Sequence, residues 1–465
     1  MRESIGPIHI TLEGRGDLAS RIYQQLHDAI LDGRLRPGEK LPPSRELAQQ
    51  LDVARNTVSV AYERLTAEGF LTARVGAGTF VGALAQKRSR KAPQGNDLRP
   101  RALWESMPTM QYVEPSTYDF RVGVPDWRLF PLETWRRLIS AELRPAALRD
   151  ADYRDPTGLP ALKAAIARYI GISRSVRTAP DDVLVTQGAQ QALDLIGRVL
   201  IEPGTCVAVE DPGYPPARRL FQSLGAEVVG VPVDSEGLDV AAIPKAAKLV
   251  YVTPSHQFPL GTPMSLARRT ALLGWAQRRQ AVIIEDDYDS EFRFSDRPLE
   301  PLQSLDRSGR VIYVGSFSKT MVPMLRIGFL IAPASLQSAL RTAKQLADWR
   351  GDLITQGALA RFLDEGMLAR HIRKATRIYS ARQELIVETL RRDFDDWLEV
   401  VPSAAGLHLC ALLRPEASYV PVPGIETLDR YCVETVHNGL VIGYGGIQLE
   451  EITPGLRRVR RGFTR

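Results

Sequence analysis

Cysteine is scarce. There are three, Cys206, Cys410 and Cys432, odd in number and far apart in the chain. That spacing excludes a disulfide framework and a thiolate metal cluster, and it fits a reducing compartment. No run of about 18 apolar residues occurs, which removes a membrane-spanning helix from consideration. Met1 to Gly16 lacks the apolar stretch of a secretory leader, so the expected location is the cytoplasm. A charge excess is missing where a nucleic-acid binder would be expected to show one. Met1 to Gly82 holds ten Lys and Arg against ten Asp and Glu. The net charge of +6 arises elsewhere, in Lys87, Arg88, Arg90 and Lys91 and in the C-terminal arginines. Bulk charge therefore does not identify a partner, and local pattern has to. There is no internal repeat at solenoid periods.

A length of 465 residues allows more than one domain. Composition changes after Val81. The segment 83–116 is basic and rich in Pro, Gln and Asn, without sustained periodicity, and reads as a linker. It separates a helical head, 10–82, from a body, 117–465.

In the head, Ile22, Leu26 and Ile30 recur every four residues, which gives an amphipathic helix from Leu18 to Asp32 that stops at Gly33. Ser44 is placed to cap a short second helix carrying Leu47, Ala48 and Leu51. Val58, Ala61, Tyr62 and Leu65 define a third helix starting near Arg55. A hairpin follows, with Val75-Gly76-Ala77-Gly78 at its tip. Helix, turn, helix and glycine-tipped ribbon form the winged helix-turn-helix layout, whose third helix enters the major groove of DNA. A three-helix domain that binds protein shares the same pattern. The strings Leu35-Arg36-Pro37-Gly38-Glu39-Lys40-Leu41-Pro42-Pro43-Ser44-Arg45-Glu46-Leu47-Ala48, Arg55-Asn56-Thr57-Val58 and Gly76-Ala77-Gly78-Thr79-Phe80-Val81 resemble the GntR family of regulators. The resemblance implies a double-stranded DNA operator as partner. It makes Ser44, Arg45, Arg55, Asn56, Thr57, Ser59, Arg74 and Gly76 the DNA-contact candidates.

In the body, short apolar runs alternate with helical patterns: Val183–Val185, Cys206–Val209, Leu249–Val252, Ala281–Ile284 and Val311–Val314. Such runs suit a mainly parallel sheet covered on both faces, with ligands at the strands' carboxyl ends. The first run leads into Gly188, Ala189 and Gln190, small residues opening a helix where backbone amides can meet a phosphate. The second leads to Tyr214, an aromatic face. The fourth leads to Glu285-Asp286-Asp287-Tyr288-Asp289, where a carboxylate can hold a pyridinium N–H. A metal site is the rival use of those acids, but no His or Cys lies nearby in sequence. The fifth leads to Ser316-Phe317-Ser318-Lys319, with Arg326 beyond. Each motif alone has a bland reading as an ordinary turn or a surface lysine. Together they supply a phosphate cradle, a ring stacker, an acid for a ring nitrogen and an amine for an aldehyde, which suits pyridoxal 5'-phosphate.

The same strings, with Tyr153 to Gly158, resemble aminotransferases of fold type I and, among them, the MocR/GabR regulators. The resemblance implies an α/β fold of large and small subdomains and a Schiff base between Lys319 and the cofactor. It places Asp286 on the pyridine nitrogen, Tyr288 on the ring oxygen and Tyr214 on the ring face. Gly188, Ala189, Gln190, Ser316, Ser318 and Arg326 would hold the phosphate, and Tyr153 would reach the phosphate of a neighbouring subunit in a homodimer, with a head-to-tail exchange of domains as one form of it. One departure stands out. Where aminotransferases usually place Asn near the ring oxygen, this chain has Phe258, with His256 and Gln257 as candidate substitutes. Arg457, Arg458 and Arg460 compete as grips for a substrate carboxylate. Three readings follow: a regulator whose effector is a small amine or amino acid, a sensor of the cofactor itself, and a working aminotransferase with a vestigial head.

Overall fold

The structure, a computed structural model, describes residues 10, 12, 17–74, 76–82, 98–107, 116–145, 155–294, 300–403 and 405–464. Tyr153, the Lys87–Lys91 cluster and most of the expected linker lie outside the described residues. Backbone proximity divides the chain into two units, Met1–Arg101 and Ala102–Arg465. Among the described residues no helix is long and apolar enough to cross a membrane.

The first unit contains α1 (Leu18–Leu31), α2 (Ser44–Gln50), α3 (Arg55–Ala67), β1 (Leu71–Arg74) and β2 (Gly78–Val81). Asp17 caps α1 by accepting from the amides of Ala19 and Ser20. Gly33, at φ +81°, turns the chain away after it. Ile22, Leu26 and Ile30 of α1 pack with Leu47 of α2 and with Val58, Ala61 and Leu65 of α3. Burial of each of the larger side chains, Ala61 excepted, contributes about 1.5–3 kcal/mol. The Tyr62 hydroxyl donates to the Pro42 carbonyl at 2.9 Å and ties α3 to the turn before α2. Ser44 does not cap α2. Pro43 holds the cap position at φ −54°, its carbonyl accepts from Glu46 and Leu47, and Ser44 is the first helical residue. Proline's fixed φ sets the entry angle there, so the hydroxyl has no cap to make. β1 and β2 pair antiparallel around Gly76, which sits at φ +75° with open space about it.

The second unit is built on an eight-stranded sheet. Its strands are β3 (Val183–Thr186), β4 (Cys206–Asp211), β5 (Glu227–Asp234), β6 (Gly237–Leu238), β7 (Leu249–Val252), β8 (Val282–Asp287), β9 (Val311–Ser316) and β10 (Gly328–Ile331). Their order is β3-β10-β9-β8-β7-β4-β5-β6. The central strands run parallel; β10 is antiparallel to β3 and β9, and β6 to β5. Strand alternation explains the two covered faces. Ile284 and Ile312 meet Leu193 and Ile196 of helix Gly188–Leu200. Ile283 and Val311 meet Leu272 and Trp275 of helix Leu266–Arg279. A smaller four-stranded antiparallel sheet, including His408–Leu413 and Gly439–Gly443, packs with helices Met367–Asp393 and Leu449–Arg460.

Three strands run further than their apolar stretches suggest. β4 continues to Asp211, β8 to Asp287 and β9 to Ser316. The β8–β9 ladder carries through Asp286↔Val314 and Asp287↔Gly315. The acidic residues are thus the last rungs of the sheet, and strand alternation decides which way each one faces.

Candidate functional site

The head presents a polar, exposed edge. Arg45 on α2 and Arg55 and Asn56 on α3 are exposed, with Ser44, Thr57 and Ser59 half-buried beside them. The guanidinium groups of Arg45 and Arg55 have no hydrogen-bond or ion-pair partner among the described residues. No side chain caps the start of α3, so its first amides remain available. On the wing, Arg74 is exposed and its guanidinium carbon lies over the Phe80 ring, 5.0 Å from its centre. Unpaired cations and free amides at a helix start are groups that phosphates satisfy.

In the body, the ends of β3, β4, β8 and β9 surround one cavity of about 690 Å³. Ala189, Gln190, Tyr214, Asp286, Tyr288, Ser316, Ser318, Lys319 and Arg326 all line it. The Lys319 ammonium donates to the Gly123 carbonyl at 2.6 Å. Gly123 sits at φ +71°, and a Cβ there would lie 2.8 Å from the Lys319 nitrogen. Burial pushes the Lys319 amine below its ordinary value, although Asp289 and Asp286 oppose that shift. A less protonated lysine is a better nucleophile.

The three consecutive acids sort themselves by strand alternation. Glu285 accepts from the amides of Leu302 and Gln303 at 2.8 and 2.9 Å. Asp287 takes the Arg174 guanidinium at 3.1 Å and the Tyr313 hydroxyl at 2.6 Å. Both are structural. Asp286 faces the other way, into the cavity. Its Oδ2 accepts from the Tyr251 hydroxyl at 2.8 Å, and its Oδ1 is buried with no partner. Burial pushes Asp286 up to about 7. A buried carboxylate oxygen without a donor is costly, and a cationic N–H placed against it removes that cost.

The cradle lies across the cavity. Gly188, at φ +75°, opens helix Gly188–Leu200 without a side-chain cap. A Cβ there would lie 3.0 Å from Arg326 Nη2, so glycine admits the guanidinium. Arg326 also donates to the Gln187 carbonyl at 2.8 Å. Uncapped helix-start amides, an arginine and the Ser316 and Ser318 hydroxyls are groups that an anion can satisfy. Gly188 itself supports the cradle from behind.

The far side differs from the expectations. Phe258 does line the cavity, packed edge-on to Tyr214 at 5.4 Å and Tyr288 at 5.8 Å. Neither candidate substitute does. Gln257 is used up by backbone, donating to Pro212 and Phe258 and accepting from Leu260. His256 lies behind Tyr288, its Nδ1 3.0 Å from the Tyr288 hydroxyl and 2.9 Å from Asp289. His256, Asp289 and His408 lie far apart in sequence yet converge, buried, with ligand atoms within 4.8 Å of one another. Arg457, Arg458 and Arg460 do not line the cavity; Arg460 stacks over Trp397. The cationic residues at the outer end are instead Arg219 and Arg430, with Glu426 3.9 Å from Arg430. Gly123, Tyr251, Arg219 and Arg430 carry no local motif. Tyr251 alone had a signal, as the aromatic residue within an otherwise aliphatic strand run.

The sequence pattern described as bacterial regulatory proteins, gntR family, matches residues 18–81, and that of aminotransferase class I and II matches 126–435. The chain is 36% identical over 458 residues to a probable rhizopine catabolism regulatory protein, MocR, of Rhizobium meliloti, covering 95% of this chain and 93% of that one. It is 34% identical to the HTH-type pyridoxine biosynthesis transcriptional regulator PdxR of Corynebacterium glutamicum, covering 94% of each. Among solved structures, an archaeal alanine:glyoxylate aminotransferase superposes with a TM-score of 0.69 at 27% identity, covering 75% of this chain and 90% of that one.

Proposed function

The chain belongs to the MocR-type regulators of the GntR family, and on that premise we propose that it binds an operator through its head and pyridoxal 5'-phosphate through its body, with an amino compound or the cofactor itself as effector at Lys319. The aminotransferase class I and II family depends on this cofactor in general. The observation that carries the reading is Asp286 Oδ1, buried and unpartnered in the same cavity as Lys319 and the Arg326 cradle. The residues fit the group. Asp286 would hold the pyridinium nitrogen, and Tyr214 the ring face. Ala189, Gln190, Ser316, Ser318 and Arg326 would hold the phosphate, with Gly188 supporting them from behind, and Tyr288 the ring oxygen. When bound, the cofactor supplies an aldehyde carbon that condenses with amines, first the Lys319 amine and then that of an incoming effector.

The head would span 10–82 and a linker 83–116 would join it to the body, 117–465. Arg45, Arg55, Asn56, Thr57, Ser59, Arg74 and Gly76, with Ser44, would face the DNA. Aminotransferase-fold relatives are typically dimers, and a dimer would set two heads on paired half-sites. The effector acts only by binding two states of the protein unequally. One relative is named for rhizopine catabolism and the other for pyridoxine biosynthesis; for this chain an amino compound and the cofactor are the two effectors to separate. Footprinting on the chain's own upstream region, with and without cofactor and amines, tests the reading. Selective protection that responds to either ligand supports it. Absence of selective binding at moderate salt rejects it. The intact Lys319 end also permits transamination, and steady turnover of an amino acid with a keto acid, without effect on DNA, would favour an enzyme instead.

A further inference from the structure

Behind the cavity wall lies a buried cluster that the cofactor reading does not use. His256 and Asp289 are 2% and 1% exposed. His256 Nδ1 lies 2.9 Å from Asp289 Oδ1 and 3.0 Å from the Tyr288 hydroxyl, while its Nε2 lies 3.1 Å from Ser403 Oγ. Asp289 Oδ2 accepts from the Leu407 amide at 3.2 Å. Two glycines in left-handed backbone admit the imidazole. Gly261, at φ +84°, would bring a Cβ to 3.1 Å from His256 Nε2, and a Cβ on Gly406, at φ +90°, would overlap the ring outright. A side chain at Gly406 would displace the histidine, and one at Gly261 would press first on Ser403 and then on the histidine. One ring nitrogen thus lies against Asp289 and Tyr288 and the other against Ser403, whose hydroxyl also reaches the Ala405 carbonyl at 3.1 Å.

Resting on the cofactor reading, we propose that His256 and Asp289 are positioning residues that aim the Tyr288 hydroxyl at the cofactor's phenolic oxygen. The proton count gives the direction. A carboxylate only accepts, so the His256 Nδ1 proton points at Asp289. Nδ1 then cannot accept from Tyr288. The phenol oxygen is a second, weaker acceptor of that same N–H, and its own O–H is free to turn into the cavity. Phe258, beside it, offers no polar atom there. Burial first, and then the charges of Asp289, Asp286 and Glu210, holds Tyr288 well above its ordinary value, so it keeps the proton it is to donate. His408 stacks on Tyr288 from the small sheet and is held neutral by burial and by the nearby His256 and Lys319. Tyr444, Tyr214, Tyr431 and Lys319 are further titratable groups near Tyr288.

The test follows the visible absorption of full-length, cofactor-loaded protein against pH. A donor on the phenolic oxygen stabilises the form left when the lysine–cofactor linkage has lost its proton. Losing that donor raises the transition. Tyr288→Phe should raise it by about one pH unit, a tenfold change in the equilibrium. His256→Gln, whose amide reaches the Nε2 position but not Nδ1, should raise it comparably. His256→Asn, whose amide falls near Nδ1, should leave it close to wild type. In Tyr288→Phe, adding His256→Gln should change nothing further. Asp289→Asn should shift it in the same direction and serves if the glutamine variant folds poorly, with circular dichroism as the folding control. An unmoved transition in His256→Gln, additive shifts in the double variant, or equal shifts from Gln and Asn would overturn the proposal. A wild-type protein without any visible band would instead overturn the cofactor reading beneath it.

Discussion

The head and the body prepare for their ligands in opposite ways. The head leaves Arg45 and Arg55 exposed and unpaired, on a domain whose formal charges cancel. Its ligand brings the opposing charge, and water serves until then. The body buries its recognition groups, and Asp286 Oδ1 stays without a donor inside the protein. A surface cation costs little while it waits, and its contacts are screened by salt. A buried, unsatisfied carboxylate destabilises the empty protein and rewards a ligand of the right charge. The head is thus suited to association that responds to salt, and the body to tight retention of one chemical group.

The largest expected effect lies at the lysine. Lys319→Ala should abolish the visible band of the loaded protein, while the head's intrinsic affinity for nonspecific DNA stays unchanged. An unaltered spectrum would remove Lys319 from its role. Asp286→Ala comes next. A buried ion pair stripped of one partner costs about 3–5 kcal/mol, and cofactor dissociation measured by spectral titration should weaken accordingly. Wild-type affinity in that variant would contradict the contrast between head and body. On the head, Arg55→Ala should cost about 1–3 kcal/mol if it reads a base, with the loss confined to particular operator positions. Arg45→Ala should instead weaken all sequences alike and flatten the salt dependence. Binding isotherms at several salt concentrations separate the two.

A smaller effect concerns pH. Burial pushes Asp286, Glu210 and Glu285 each up to about 7. Their folded values lie above their unfolded ones, so the stability they contribute is complete below pH about 4 and is lost as pH rises toward about 7. A cation held against Asp286 removes that residue's share. The thermal midpoint of cofactor-free protein should therefore fall more steeply across this window than that of loaded protein. Equal slopes would mean that the cofactor leaves Asp286 untouched.

Much of the fold was legible because its signals are local. The four-residue period of Ile22, Leu26 and Ile30 places α1, and unbroken aliphatic runs place the parallel strands. The cavity's lysine, acid and cradle were legible because each stands at a strand's carboxyl end. What escaped depends on tertiary neighbours. Pro43, not Ser44, caps α2, because proline geometry overrides a hydroxyl one residue later. The resemblance pointed to Asp286, but the physical reason it differs from Glu285 and Asp287 appeared only once β8 was known to extend through all three. His256 and His408 stand 33 and 119 residues from Asp289 in sequence, so neither could be linked to it by spacing. Arg219 and Arg430 reach the cavity from separate elements and have no motif at all.

In the proposed function, chemistry at the buried lysine controls the exposed head. Operator binding by the full-length protein, titrated with pyridoxal 5'-phosphate and then with amines, tests it most directly. The expected result is that cofactor or amine shifts operator affinity in wild type, and that the shift disappears in Lys319→Ala. The contradicting result is operator affinity that is the same in all three states, or a shift that survives without the lysine.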